Sequence, residues 1–219
     1  MTVRGLLFDF DGLLIDTETP GRRSWEEIYR EHGHELPLDE WATKIGTIGT
    51  PFDPAAHLGE LLGTELDREA LVARRRARHR ELIDLEDLRP GVDEYLATAK
   101  ERGLRTAIVS SSDDWWIATR LEHLGHGHDW DLIVAANGDR ERAKPRPDLY
   151  LDALERLAIR ADEAIAFEDS PNGLRAAKAA GLYCVAVPNP VTSTLAFDEA
   201  DLVLESLSDL PLEELLERL

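Results

Sequence analysis

Cysteine is nearly absent from this chain. Cys184 stands alone among 219 residues, so no internal disulfide framework is available and a reducing compartment is expected. Positive charge is scarce as well: 25 lysines and arginines face 44 acidic side chains, a formal net charge of −19. A field of that sign repels the phosphates of nucleic acid and excludes that class of partner. Any small anion the protein accepts must therefore meet a local cation. No apolar run approaches the ~20 residues of a membrane span, and the first residues run straight into a strand-like segment without a cleavable leader pattern. The expectation is a cytoplasmic protein with no membrane attachment. Repeats, low-complexity tracts and long linkers are also lacking. What is present, 43% hydrophobic and 32% charged residues, is the composition of an ordinary globular chain, long enough to bury a sizeable core in one large domain or two modest ones.

One stretch organises the rest. Leu6-Leu7-Phe8-Asp9-Phe10-Asp11-Gly12 is an apolar run that reaches two aspartates one residue apart, then a glycine. Side chains two apart on a strand point the same way, so both carboxylates can face one cleft at the strand's carboxyl end. Clustered carboxylates repel unless a cation or proton lies between them, and Mg²⁺, a hard ion that prefers oxygen ligands, meets that need.

Around this stretch the periodicity changes twice. Val3 to Phe10 predicts a buried strand. From Thr17 the pattern is helical: Trp25, Ile28, Tyr29 and His32 share one face, and Gly33 is a stop. Trp41 to Ile45 follows, then a Gly/Thr/Pro-rich break from Gly46 to Pro54, then helical patterns at Leu58, Leu61 and Leu62 and over 67–83. Strands return only afterwards, over 104–109, 132–135, 164–167, 183–187 and 202–204, separated by helical patterns at Val92, Tyr95, Leu96 and Ala99 and over 115–124, 147–157 and 172–180, with a last helix from Leu212. Alternation of this kind predicts right-handed crossovers and a parallel, doubly wound α/β sheet covered on both faces. The predicted domains are a discontinuous Rossmann-like core, residues 1–16 and 87–219, and an inserted all-helical cap, residues 17–86, hinged near Asp16-Thr17 and Leu85-Arg89.

Ligands of open parallel sheets bind beyond the carboxyl ends of the strands. Four such ends carry polar groups here: Asp9 and Asp11, Ser110, Lys144 a few residues past its strand, and Glu168-Asp169. They amount to a nucleophile, an acid/base, a hydroxyl, a cation and further metal-binding carboxylates. A phosphate monoester requires that set, because a carboxylate cannot approach a near-dianion without positive charge to screen both. Bland roles compete at each position: Asp-x-Asp-Gly as a turn or cap, Ser110 as a cap for the next helix, Lys144 as a loop lysine, though the prolines at 145 and 147 stiffen its segment, and Asp169 as an N-cap.

Taken together and in this order, Asp9-Phe10-Asp11-Gly12, Ser110, Lys144-Pro145 and Glu168-Asp169 resemble the four motifs of the haloacid dehalogenase superfamily. Gly12-Leu13-Leu14-Ile15-Asp16-Thr17-Glu18 and Glu168-Asp169-Ser170-Pro171-Asn172-Gly173 resemble its branch with a small helical cap, the β-phosphoglucomutase-like phosphatases. The resemblance implies that Asp9 attacks phosphorus and becomes an aspartyl-phosphate, and that Asp11 protonates the leaving oxygen and then activates water. It implies that Gly12, Ser110, Ser111 and Lys144 bind the phosphoryl group. The implied Mg²⁺ is held by Asp9 and Asp169 and by the backbone carbonyl of Asp11, with Glu168 as support. Family dehalogenases lack the second aspartate, so Asp11 favours phosphate chemistry.

Two departures bear on the activity. The mutases carry a histidine where Gly21 stands, and a cap arginine after a turn that here reads Ile45-Gly46-Thr47-Ile48-Gly49 without one. A cap without those grips suits hydrolysis of a small sugar- or nucleotide-type phosphate better than mutase chemistry, which is the alternative. A non-catalytic, receiver-like phospho-ligand module is a more distant one; it leaves the helical insert and Asp11 without a task. The basic run Arg74, Arg75, Arg76, Arg78, His79 and Arg80 either turns some members into the cleft or is a solvated face paired with acids. Trp115-Trp116 is expected to pack. His32, His57, His123, His126 and His128 show no metal-ligand spacing. The expected partner is a small phosphorylated metabolite, and the expected oligomeric state is a monomer.

Overall fold

In the computed structural model of the protein, residues 2–49 and 52–219 are described; Thr50 and Pro51, within the predicted Gly46–Pro54 break, lie outside them. The apolar run before Asp9 forms strand β1 (Gly5–Phe8). It is shorter than the Val3–Phe10 pattern predicts. Asp9 makes one last ladder bond, its N–H donating to Phe167 O at 3.0 Å, and the chain then doubles back, Gly12 N–H donating to Ile15 O at 2.8 Å. Four helices follow, α1 (Glu18–Glu31), α2 (Leu38–Ala42), α3 (Pro54–Leu62) and α4 (Arg68–Ile83). From there helix and strand alternate as far as β5: α5 (Val92–Arg102), β2 (Arg105–Ser110), α6 (Asp114–Leu124), β3 (Leu132–Ala135), α7 (Asp148–Leu157), β4 (Ala164–Glu168), α8 (Pro171–Ala179) and β5 (Tyr183–Ala186), after which come β6 (Leu202–Val203) and α9 (Leu212–Glu217).

The strands make one six-stranded sheet in the order β3-β2-β1-β4-β5-β6, parallel at every pairing. This is a doubly wound, Rossmann-like α/β fold. Its strand order reverses between β1 and β4, and the crevice beyond their carboxyl ends is where such sheets hold ligands. Period-2 alternation sends Leu6 and Phe8 to one face, with Tyr95, Ile117 and Leu215 of α5, α6 and α9. Leu7 goes to the other, with Tyr150 and Leu174 of α7 and α8. Both faces are dry, so the strands read as continuous apolar runs. Phe8 stacks on Phe167 across β1 and β4 with centroids 4.7 Å apart, tying together the two strands whose ends carry the aspartates.

The helices between β1 and β2 have their own small core of Trp25, Ile28, Tyr29, Trp41 and Leu58, against which Val191 also packs. His32, placed by its spacing on the same face, is the C-cap of α1 and its Nδ1 donates to Ile28 O instead. Ion pairs also tie α1 to α4: Arg78 forks onto both oxygens of Glu27 (2.8 and 3.1 Å), and Arg74 pairs with Glu31. The basic run thus has a paired face, and Arg75 and His79 turn the other way, into the cleft. No helix among the described residues is long and apolar enough to cross a membrane.

Candidate active site

The floor of the crevice is an ion network. Lys144 is buried and its ammonium donates to Asp9 Oδ1 at 2.5 Å and meets Glu168 Oε1 at 2.6 Å. Burial alone would lower the Lys144 pKa, but Asp9 and Glu168 outweigh it and hold the group above the ordinary lysine range. Tyr150, buried on α7, donates its hydroxyl to Glu168 Oε1 at 2.5 Å; burial and the neighbouring carboxylates push its pKa well up, so it remains a donor. Glu168 itself is raised by burial to about 7, Lys144 opposing and Asp9 reinforcing the shift. At the next residue the chain leaves β4, and Ser170 caps α8 by accepting from Gly173 N–H at 3.1 Å. That turn leaves Asp169 at the helix entrance, fully buried, accepting from Asn189 Nδ2 at 2.6 Å. Burial, then Asp9 and Glu168, raise Asp169 well above the usual carboxylate range.

Asp11 stands apart from this network. Its Oδ2 accepts from Ser112 Oγ at 2.5 Å and its Oδ1 from Trp116 Nε1 at 3.0 Å. Burial raises its pKa, with these two donors opposing and Asp9 adding to the rise. The two aspartates therefore line one crevice with different electrostatics: Asp9 is ion-paired, and Asp11 is biased towards a proton. A residue pair of that kind is suited to divided acid/base and nucleophile roles.

The other expected residues are distributed as follows. Ser110, buried at the end of β2, lines the crevice and accepts from Ser112 N–H at 3.0 Å. Ser111 lines it too, accepting from Lys144 N–H and donating to Gly46 O of the helical insert, each at 3.2 Å. Gly12 is set back from the cavity. Its N–H donates to Ile15 O, and the turn requires a glycine on steric grounds: with φ +86°, a Cβ would lie 2.1 Å from Asp169 Oδ2 and 2.7 Å from Asn189 Nδ2. Its carbonyl accepts from Arg89 Nη1 at 2.6 Å, and the same guanidinium binds the Val187 and Pro188 carbonyls at 3.0 and 2.8 Å.

A cavity of about 490 Å³ opens above these groups. Its far wall comes from the helical segment, including Glu18, Trp41, Lys44, Thr47, Arg75 and His79. Burial, then Asp11, Asp16 and Asp9, raise Glu18 to about 8, with Arg75 opposing. Arg75 reaches across from α4 to Ser24 Oγ at 3.1 Å, and its Nη2 lies 3.5 Å from where a Cβ on Gly21 would be. A cation from another helix thus stands where the sequence leaves a gap. Thr47 Oγ1 donates to Lys144 O at 2.5 Å and Asn172 Nδ2 to Ile45 O at 2.8 Å, so the turn at Ile45-Gly46-Thr47 sits over the crevice.

The donor set fits a hard divalent cation. Asp9, Glu168 and Asp169 each bring a carboxylate oxygen to within 4.8 Å of the others. Glu168 Oε2 and Asp169 Oδ1 are buried with no hydrogen-bond partner. Lys144 is the cation paired with this cluster, and burying several carboxylates around one ammonium leaves uncompensated negative charge, which an oxygen-preferring metal ion offsets.

Five contributors were not assigned to the site from the sequence: Ser112, Trp116, Arg89, Tyr150 and Asn189. Trp116 packs against the core as expected of its pair and also donates to Asp11, while Trp115 is 64% exposed. Only Ser112 carried a local signal, being part of the strand-end Ser110-Ser111-Ser112 run.

A doubly wound sheet with acids, a lysine and a serine converging at its switch point, roofed by an inserted helical segment, defines a hydrolase-type α/β enzyme. The chain belongs to the haloacid dehalogenase-like hydrolase family, whose sequence profile matches residues 3–181. YhcW of Bacillus subtilis, provisionally named a phosphatase, is 44% identical over 217 residues, 99% of this chain and 98% of that protein. The Escherichia coli fructose-1-phosphate phosphatase YqaB is 32% identical over 186 residues, 84% of this chain and 95% of its own. A Thermotoga maritima structure provisionally named a β-phosphoglucomutase superposes with TM-score 0.74 at 26% identity, covering 94% of this chain and 98% of that one. These likenesses place the chain in the β-phosphoglucomutase-like branch.

Proposed function

We propose that this phosphoric monoester hydrolase transfers the phosphoryl group of a small sugar- or nucleotide-type phosphate first to Asp9 and then to water. The observation that carries the reading is the split between the two aspartates: Asp9 paired with buried Lys144 at 2.5 Å, Asp11 on separate neutral donors with a raised pKa. Asp9 attacks phosphorus as the carboxylate, forming an aspartyl-phosphate. Asp11 gives its proton to the leaving oxygen and afterwards takes one from the attacking water. Ser110 and Lys144 hold phosphoryl oxygens where charge accumulates. Mg²⁺ would be held by the Asp9 and Asp169 carboxylates and the Asp11 carbonyl, with Glu168 in support, and when bound it neutralises charge on the phosphoryl oxygens. Residues 17–86 act as a cap on a core of residues 1–16 and 87–219, turning on the segment where Ile15 bridges Leu88. The protein works as a cytoplasmic monomer.

The substrate class is supported by the cavity, whose volume suits a small metabolite and whose distal wall offers Glu18 and Arg75 to hydroxyls or a second anion. Arg75 is also the observation that keeps a mutase in view, because it places a cation on the cap side. Phosphate release from a panel of sugar and nucleotide phosphates should require Mg²⁺ and vanish in Asp9→Asn; release that survives the substitution refutes the reading. A coupled glucose-6-phosphate assay on β-glucose 1-phosphate with a bisphosphate primer decides against hydrolysis if it outpaces phosphate release.

A further inference from the structure

Among Asp9, Asp11, Glu168 and Asp169, only Asp11 has a side chain that leaves the buried acidic cluster, and both of its oxygens are occupied from the segment that follows β2. The two donors are chemically unequal. An indole N–H donates and never accepts, whereas a hydroxyl does both. The oxygen that meets Trp116 Nε1, Oδ1 at 3.0 Å, is therefore unprotonated in either charge state of the carboxyl group. A proton on Asp11 must sit on Oδ2, where Ser112 Oγ at 2.5 Å turns from donor to acceptor. Trp116 is itself held in place. The Arg120 guanidinium carbon lies 5.3 Å from its ring centroid, and Arg120 is anchored to Asp84 at 2.7 Å. From the helical insert, the His79 ring stacks on it with centroids 6.2 Å apart.

We propose that Trp116 is a positioning residue of the phosphoryl-transfer reaction: its indole N–H holds Oδ1 of Asp11 as the bare oxygen, so that Oδ2 presents the proton to the leaving group. The proposal rests on the phosphatase reading above. As the bond from Asp9 to phosphorus forms and the bond from phosphorus to the leaving oxygen breaks, the electron pair goes to that oxygen, which has replaced Ser112 Oγ as the acceptor at Oδ2, and the Oδ2 proton follows. A neutral alcohol departs, and Asp11 remains as a carboxylate still held by Trp116. In the second step the same Oδ2 takes a proton from the water that attacks the aspartyl-phosphate.

The test separates leaving groups. A sugar alkoxide cannot leave without a proton, whereas p-nitrophenolate can, and kcat/KM reports the steps through the first transfer. Trp116→Phe, which keeps a ring and loses the N–H, should lower kcat/KM on the wild type's best sugar phosphate about tenfold, a fraction of a full general-acid effect. The loss on p-nitrophenyl phosphate should be at most about twofold. Trp116→His returns a ring N–H at the equivalent position of its five-membered ring and should recover most of the sugar-phosphate rate. Equal losses on both substrates, no loss on either, or no recovery with histidine overturns the proposal. Trp116→Leu also lacks the donor, so whichever of the two donor-free variants folds carries the test. Asp9→Asn, run alongside, distinguishes the failures: activity retained there overturns the reaction itself, while its loss with unselective Trp116 variants overturns only the positioning.

Discussion

Replacing Lys144 with methionine keeps the length and most of the volume of the side chain while removing its charge. In the native protein that ammonium is buried between Asp9 at 2.5 Å and Glu168 at 2.6 Å, with Asp169 also buried nearby. Breaking a buried ion pair by removing one partner costs about 3–5 kcal/mol, because the other charge is left unpaired. For a chain of this size each kcal/mol moves Tm by about 2–4 °C, so Lys144→Met should melt about 10 °C lower in metal-free buffer at pH 8. The pH dependence identifies charge as the cause. Glu168 has a folded pKa raised to about 7, so its contribution to stability is complete below its unfolded value near 4.3 and is lost as pH rises through 7. Without Lys144 the folded pKa rises further and the loss extends to higher pH. The gap between wild type and variant should therefore widen from pH 5 to pH 8, measured by circular-dichroism melts at each pH. A gap that stays constant or narrows over that range would refute the argument and assign Lys144 a packing role.

Gly173→Ala sets local propensity against tertiary space: alanine favours helix α8 by about 1 kcal/mol, yet its Cβ would lie 1.8 Å from Glu168 Oε2. Glu168 cannot withdraw without leaving Lys144 and Tyr150, so a net destabilisation of about 2 kcal/mol with loss of activity is expected; an unchanged urea midpoint would show that the carboxylate yields freely. His79 is depressed to about 4 by burial, then by Arg75. Above about 6.5 it is neutral folded or unfolded; as pH falls towards 4 the unfolded chain takes up a proton that the folded one refuses, and stability is lost. His79→Gln should recover about 2 kcal/mol relative to wild type at pH 4.5, read from denaturant melts at both pH values, and an unaltered acid limb would remove His79 as its cause.

Much of this architecture was legible in the chain itself. Leu6-Leu7-Phe8, Ala107-Ile108-Val109 and Ala164-Ile165-Ala166-Phe167 are strands buried on both faces, and such strands must be continuously apolar whatever packs on them. The polar residue that ends each run marks the sheet's carboxyl edge, because burial stops there. Those two facts suffice to put Asp9, Ser110 and Glu168-Asp169 at one edge. The strand's true end escaped the pattern, since Phe10, Leu13, Leu14 and Ile15 are as buried as the strand although the chain there is a turn.

What the sequence by itself determined, then, is the set of side chains whose roles follow from local position: a run of one period, a residue at its end, a glycine before a turn. Only the tertiary structure decided which donors meet them. Trp116 reaches Asp11 across 105 positions and Arg89 reaches Gly12 across 77; Arg75 fills the space beside Gly21 from a different helix. Contacts of that range leave no periodicity behind, because they depend on how two elements are placed after folding and on nothing in either element alone. The different surroundings of Asp9 and Asp11 have the same origin. Two identical residues two positions apart differ because one faces a lysine and the other an indole and a hydroxyl.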